Sequence, residues 1–201
     1  MTRTILYFHG FASSPASAKI ALLRPMLAPD VELITPDLNV PSFERLDWNA
    51  IVDYAKTFEN YDVIAGSSMG ALVALSIARP HIPLVLIAPA LGIADRWRTM
   101  LPDGDPIPVF HHTRNEKVPV HRKFFEQMFR VRIDEHAPPS RVTVIMGRND
   151  ESVPYQLVEQ TWNNWKPDLV EGSKFIEIAE GDHGLTAHAG LIARELRGFT
   201  T

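Results

Sequence analysis

Six short apolar runs recur along the chain, at residues 4–8, 31–35, 63–66, 84–88, 141–146 and 175–179. Stretches of helical periodicity lie between most of them. Residues 14–25 open on Ser14-Pro15, a helix-start signature, and stop or kink at Pro25. Residues 43–58 space Leu46, Ile51, Ala55 and Phe58 helically, with Glu44 and Asp47 near the start. Residues 69–78 are almost wholly apolar, as a helix buried all round requires, and residues 153–165 and 185–196 complete the pattern. This alternation predicts an α/β fold: a mostly parallel sheet of about six strands, covered by helices and joined by right-handed crossovers. Ligands of such sheets bind outside the carboxyl ends of the strands. The 201 residues, 45% of them apolar, are read as one domain over 1–201. A chain of that length buries about 70% of its unfolded surface and needs no covalent staple.

Residues 91–140, between the fourth and fifth runs, break the rhythm. So long an interruption in a compact α/β core reads as a cap or lid inserted over the strand ends. It passes through Phe110-His111-His112 and contains a helix-like stretch, 120–131. Phe124, Phe125, Met128 and Phe129 would form that helix's apolar side, packed on the core or lining an acyl pocket. Phe11, Phe124, Phe125 and Met128 are the expected substrate-binding residues. The same stretch is basic: from His111 to Arg132 six Lys and Arg stand against two Glu, a local charge of +4 in a chain of net charge −4. One reading is a solvated helix face. The other is a basic lip, including Arg122, Lys123 and Arg130, that steers an anionic leaving group such as the phosphates of an acyl-coenzyme A.

Gly66-Ser67-Ser68-Met69-Gly70 joins the third apolar run directly to the wholly apolar helix. Gly-x-Ser-x-Gly is short and recurs by chance, but a strand before it and a helix after it are the setting of a nucleophile elbow. Small residues at 66 and 70 permit a sharp turn, leaving the Ser68 hydroxyl exposed at a helix N-terminus. The bland alternative is a plain turn capped by Ser68; Ser67 is assigned a structural role beside it. A serine needs a base. Gly181-Asp182-His183-Gly184, after the last run, offers His183, whereas His81, His136 and His188 read as surface residues. The imidazole needs an acid to fix its tautomer and offset its charge. Asp150, in the turn after the fifth run, is the first choice; Glu151 and Asp182 compete with it. Backbone N–H groups of Phe11 and Met69 would receive an oxyanion, with Gly10 allowing close approach. His9 reads as a structural loop residue.

The order Ser68, Asp150, His183 is that of α/β-hydrolases. The opening His9-Gly10-Phe11-Ala12-Ser13-Ser14-Pro15-Ala16-Ser17-Ala18-Lys19, with the elbow and the Asp150 and His183 segments, resembles the YqiA-type small esterases of that superfamily. The resemblance covers about residues 1–90 and 141–200; Ala71, where that family often has a second glycine, and residues 91–140 depart from it. It implies an α/β-hydrolase fold, a Ser68–Asp150–His183 triad, oxyanion donors at Phe11 and Met69, and activity on small or acyl-chain esters. The expectation is therefore a carboxylic ester hydrolase, without cofactor, acting on a small-molecule ester or thioester. Hydrolysis of acyl-coenzyme A or another thioester is the alternative activity, and a non-catalytic, hydrolase-like binding module the alternative of another kind.

With no cysteine, disulfides, thiolate metal sites and a Cys nucleophile are excluded. His111, His112 and His121 lack the spacing of metal ligands, so no metal is expected. The acidic balance does not suit a nucleic-acid binder. The first apolar run offers only four residues, Ile5 to Phe8, against the about 7–15 of a signal peptide. No run approaches the about 20 residues of a membrane span, so a cytoplasmic location is expected.

Overall fold

The computed structural model describes residues 2–199; Met1, Thr200 and Thr201, which the sequence assigns to the same domain, lie outside the described residues. In chain order the first elements are β1 (Arg3–Phe8), α1 (Ala18–Leu27), β2 (Val31–Ile34), α2 (Trp48–Lys56), β3 (Val63–Ser67), α3 (Met69–Ser76) and β4 (Leu84–Ile87). They continue with α4 (Ile93–Met100), β5 (Ile107–His111), β6 (Glu116–Val120), α5 (Arg122–Met128), β7 (Val142–Gly147), α6 (Tyr155–Trp165), β8 (Lys174–Ile178) and α7 (Ala189–Arg197).

The six apolar runs become one parallel sheet in the order β2-β1-β3-β4-β7-β8. Every residue of β3, β4 and β7 is buried, which is why these strands read as continuous Val, Ile and Leu rather than as an alternation. α3 is buried from Met69 to Leu75 and so lacks a polar face. From β1 the chain goes first to β2 on one side and then to β3 on the other. The strand order therefore reverses between β1 and β3, and the crevice at their carboxyl ends is where such a sheet accepts a ligand.

Several boundaries differ from the sequence reading. Ser14 does not open α1; it closes a turn, with Ser17 N–H on its carbonyl at 3.1 Å and Ala16 N–H on its Oγ at 3.2 Å. Pro25 lies inside α1 without ending it, because Ile20, Leu23 and Leu27 bury one face across the last turns and that packing outweighs the missing N–H. α2 starts at Trp48, where the Asp47 carboxylate accepts from Asn49 and Ala50 N–H, so Phe43 and Leu46 are core residues on an irregular approach segment.

The largest difference lies between β4 and β7. Of the helix expected at 120–131 only α5 is helical, and an antiparallel β5–β6 hairpin precedes it. Pro108 and Pro119 hid this hairpin by acting as apparent strand breakers. They face each other in register, at a pair where neither nitrogen donates across the ladder.

Candidate active site

Ser68 stands between β3 and α3 with φ 55° and ψ −122°, a conformation that costs a non-glycine residue on the order of 1–3 kcal/mol. The surroundings enforce it. Ser68 N–H bonds the Ile87 carbonyl at 3.0 Å, and its own carbonyl accepts from Ala71 and Ala90. The crossing of strand and helix leaves no room for a side chain: a Cβ on Gly66 would lie 2.2 Å from the Gly70 carbonyl oxygen, and one on Gly70 would lie 2.3 Å from that of Phe8.

The acid and the histidine come from the ends of β7 and β8. Gly147 and Gly181 bring those ends into contact, since a Cβ on Gly147 would meet the Gly181 oxygen at 2.2 Å; Asn149 N–H also bonds that oxygen at 2.9 Å. His183 Nδ1 then lies 2.8 Å from Asp150 Oδ2, and the Asp150 side chain is fully buried. The other Asp150 oxygen accepts from Ser152 and Val153 N–H at 2.9 and 2.7 Å, which holds the carboxylate in one orientation. Asp182, its rival in the sequence, is occupied elsewhere: its Oδ1 accepts from Leu185 N–H at 2.7 Å.

Ser68 and His183 both line a cleft of about 530 Å³, together with Gly10, Phe11 and Glu151. A Cβ on Gly10 would sit 3.1 Å from that of Ser68, so the loop carrying Phe11 runs against Ser68. Met69 is the first residue of α3, and its N–H has no acceptor within the helix. His9 is buried, with Nδ1 2.8 Å from the Gly10 carbonyl and Nε2 2.9 Å from Leu38 N–H. Leu38 N–H donates to Nε2, which also lies 3.3 Å from Asp37 Oδ1, and Nδ1 faces the Gly10 carbonyl. The Gly10–Phe11 peptide plane, and with it the Phe11 N–H, is thereby oriented.

Two expectations for residues 91–140 are corrected. Phe124, Phe125 and Met128 do not line the cleft. They are buried behind Phe11, with the Phe124 ring stacked on it at 5.5 Å and the Phe125 ring edge-on at 5.7 Å, because the hairpin turns the apolar side of α5 into the core. The basic run does not overhang Ser68 either. Arg114 pairs with Glu44 and Lys123 with Asp47, both at 3.0 Å, while Arg132 lies 3.3 Å from Glu135. Glu44 and Asp47, on the approach to α2, supply the opposite charge for Arg114 and Lys123. His111 is buried against Phe43, His112 faces the cleft and His121 lies 3.5 Å from Asp105.

Sequence reading missed Arg96, Trp97, Met100, Val109 and Phe110, through which the inserted segment forms one wall of the cleft. The amphipathic spacing of Ile93 and Trp97 was the available signal for α4. It also gave no role to Tyr7 or to Lys19, the last residue of the opening stretch, both of which border the cleft on the core side; burial pushes the Lys19 ammonium down to about 8 against the opposing pull of Asp150 and Asp182.

The structure is similar to that of Est1E from Butyrivibrio proteoclasticus, solved with ferulic acid bound (TM-score 0.74, 21% identity, 98% of this chain and 88% of that one). It is likewise similar to alpha/beta hydrolase domain-containing protein 10 from mouse (TM-score 0.74, 18% identity, 100% and 90%). A third similar structure is the esterase domain of a Rhodothermus marinus protein (TM-score 0.68, 14% identity, 98% and 85%). At these identities the likeness gives the fold, which is that of the α/β-hydrolases. The profile of the Uncharacterised protein family UPF0227 matches residues 4–187, so the resemblance is not confined to 1–90 and 141–200 but runs through residues 91–140 as well. This match spans both the elbow and the Asp150–His183 pair, and the chain belongs to the UPF0227 family, that of the YqiA-type proteins which its opening residues 9–19 resemble.

Proposed function

We infer that this protein is a serine hydrolase of carboxylic esters. The observation that carries the reading is one cleft that holds both a serine on a strained strand–helix turn and a histidine 2.8 Å from a buried aspartate. Ser68 Oγ attacks the ester carbonyl carbon while His183 Nε2 takes its proton. Asp150 keeps the other ring proton on Nδ1 and offsets the imidazolium charge. The N–H groups of Phe11 and Met69 receive the oxyanion. When the intermediate collapses, the bond from carbon to the leaving oxygen breaks and His183 returns the proton to the departing alcohol. The acyl group stays on Ser68. Water then gives a proton to His183 and attacks the acyl carbon; the bond from that carbon to Ser68 Oγ breaks, His183 returns the proton to Oγ, and the acid leaves. Residues 91–140 act as a cap within a single domain, walling the cleft with apolar side chains.

The same steps would cleave a thioester. The basic run that suggested coenzyme A lies away from the cleft, so the ester reading is preferred. A fluorophosphonate should label the wild type and spare Ser68→Ala, and a non-catalytic binding module would take no label. Ser68→Ala should keep its fold and lose turnover by on the order of 10⁶. A folded variant that retains more than about a hundredth of wild-type kcat would overturn the assignment. Nitrophenyl esters and acyl thioesters of graded length would then rank the two substrate classes.

A further inference from the structure

The core side of the cleft carries hydrogen-bond donors that acyl transfer does not use. Lys19, in the first turn of α1, is 8% exposed, borders the cleft and donates from Nζ to Ser67 Oγ at 2.7 Å. Among the described residues it makes no ion pair, and two of its three ammonium protons remain for a ligand. Burial disfavours the ammonium, and Asp150 and Asp182, whose carboxylates are hydrogen-bonded to His183 and Leu185, offset this only in part, so an anion entering the cleft is favoured beside it. Tyr7, 1% exposed, borders the same space; its hydroxyl sits near enough to Ser67 to feel it but makes no hydrogen bond of normal geometry. The third element is α1 itself. Ser17, Ala18 and Lys19 line the cleft, and the Ser17 side chain leaves the first-turn N–H groups uncapped. Phe11, Trp97 and Val109 face the same space, with Met100 and Phe110, two of the few large apolar side chains exposed to solvent.

We propose that Lys19, with Tyr7 and the N-terminus of α1, binds a carboxylate carried by the substrate, so that the preferred substrates are half-esters with an anionic arm on the core side and an apolar arm along the inserted segment. This rests on the esterase reading of Ser68. It differs from a purely structural role, in which Lys19 only steadies Ser67 and the elbow.

The test compares mono(4-nitrophenyl) succinate with 4-nitrophenyl butyrate. The two share a leaving group and nearly share a shape, and differ in a terminal carboxylate against a methyl. Wild type should favour the half-ester at least about tenfold in kcat/KM, mainly through KM. Lys19→Met should bring that ratio to one or below, whatever it does to each rate. Lys19→Arg should restore part of the ratio, and Tyr7→Phe should lower it a few-fold. The pH profile is a second readout. The ammonium is charged below about 8, so the ratio should hold at neutral pH and fall as pH rises through 8. The titratable and charged groups around it are Tyr7 and His9 on the β1 side, Asp150 and Glu151 after β7, Asp182 and His183 after β8, and Arg96 and His112 from the inserted segment. His188 lies in the turn packed on α1, and Glu195 of α7 is tied to Lys174. Their shared effect on turnover cancels in the ratio.

A wild-type ratio near one, or a Lys19→Met variant that slows both esters equally, would overturn the proposal. If Lys19→Met does not fold, Lys19→Arg and the wild-type pH profile decide. Binding of monomethyl succinate to Ser68→Ala reads the site without chemistry. Tight binding that Tyr7→Phe weakens, in a protein that hydrolyses neither ester, would sink the esterase reading and leave the carboxylate site standing. Hydrolysis without preferential binding would do the reverse.

Discussion

At the scale of single residues the candidate site is a set of protons with fixed addresses. Asp150 has one oxygen on His183 Nδ1 and the other on two backbone N–H groups, so it cannot turn away. Asn at this position would keep the size but offer no charge to an imidazolium. Asp150→Asn should therefore leave substrate binding nearly intact and cut kcat by up to about 10⁴. Glu151→Gln should change kcat far less, since Glu151 borders the cleft without a bond to His183. Steady-state kinetics on the two variants decide between them, and a larger loss for Glu151→Gln would show that the acid is wrongly assigned. The two candidates are neighbours in the sequence and chemically alike. Only the approach of the β7 and β8 ends, through Gly147 and Gly181, selects one.

At the scale of elements the elbow is a packing problem with one solution. α3 leaves β3 so steeply that Gly70 lies against the Phe8 and His9 carbonyls of the neighbouring strand end. A methyl at 70 would have to push α3 off β1. Gly70→Ala should cost at least the about 1–3 kcal/mol typical of overpacking. In a chain of this size that is a fall in melting temperature of roughly 2–12 °C at about 2–4 °C per kcal/mol, measurable by calorimetry. An unchanged melting temperature would mean that the turn is looser than described. The elbow was legible in sequence because its cause is local: two glycines, an apolar strand and an apolar helix side by side. The β5–β6 hairpin was not legible, because Pro108 and Pro119 are harmless only where their nitrogens point away from the partner strand, and that depends on a register between segments.

At the scale of the whole molecule residues 91–140 are joined to the core by an aromatic cluster centred on Phe11, whose ring meets Phe43, Trp97, Phe124 and Phe125 at centroid distances of 5.5–5.7 Å. The residue proposed to offer an oxyanion donor is thus packed on the segment that walls the cleft. Phe124→Ala, at a fully buried position, should cost about 3–5 kcal/mol. Its kcat/KM should fall by a similar factor for short and long acyl esters, because the ring supports Phe11 without touching the cleft. A loss growing with acyl length would instead place Phe124 on the acyl path. The sequence alone determined the parallel sheet and the sharp strand–helix turn at Ser68, since strand and helix patterning and turn chemistry act over a few residues. Tertiary structure decided what depends on contacts between distant segments. It set Asp150 rather than Asp182 on His183, turned Phe124, Phe125 and Met128 into the core, drew Arg114 and Lys123 to Glu44 and Asp47, and buried Lys19 beside Ser67. Charge and hydrophobicity in a sequence say that a group needs a partner or cover; only the folded chain says which one it finds.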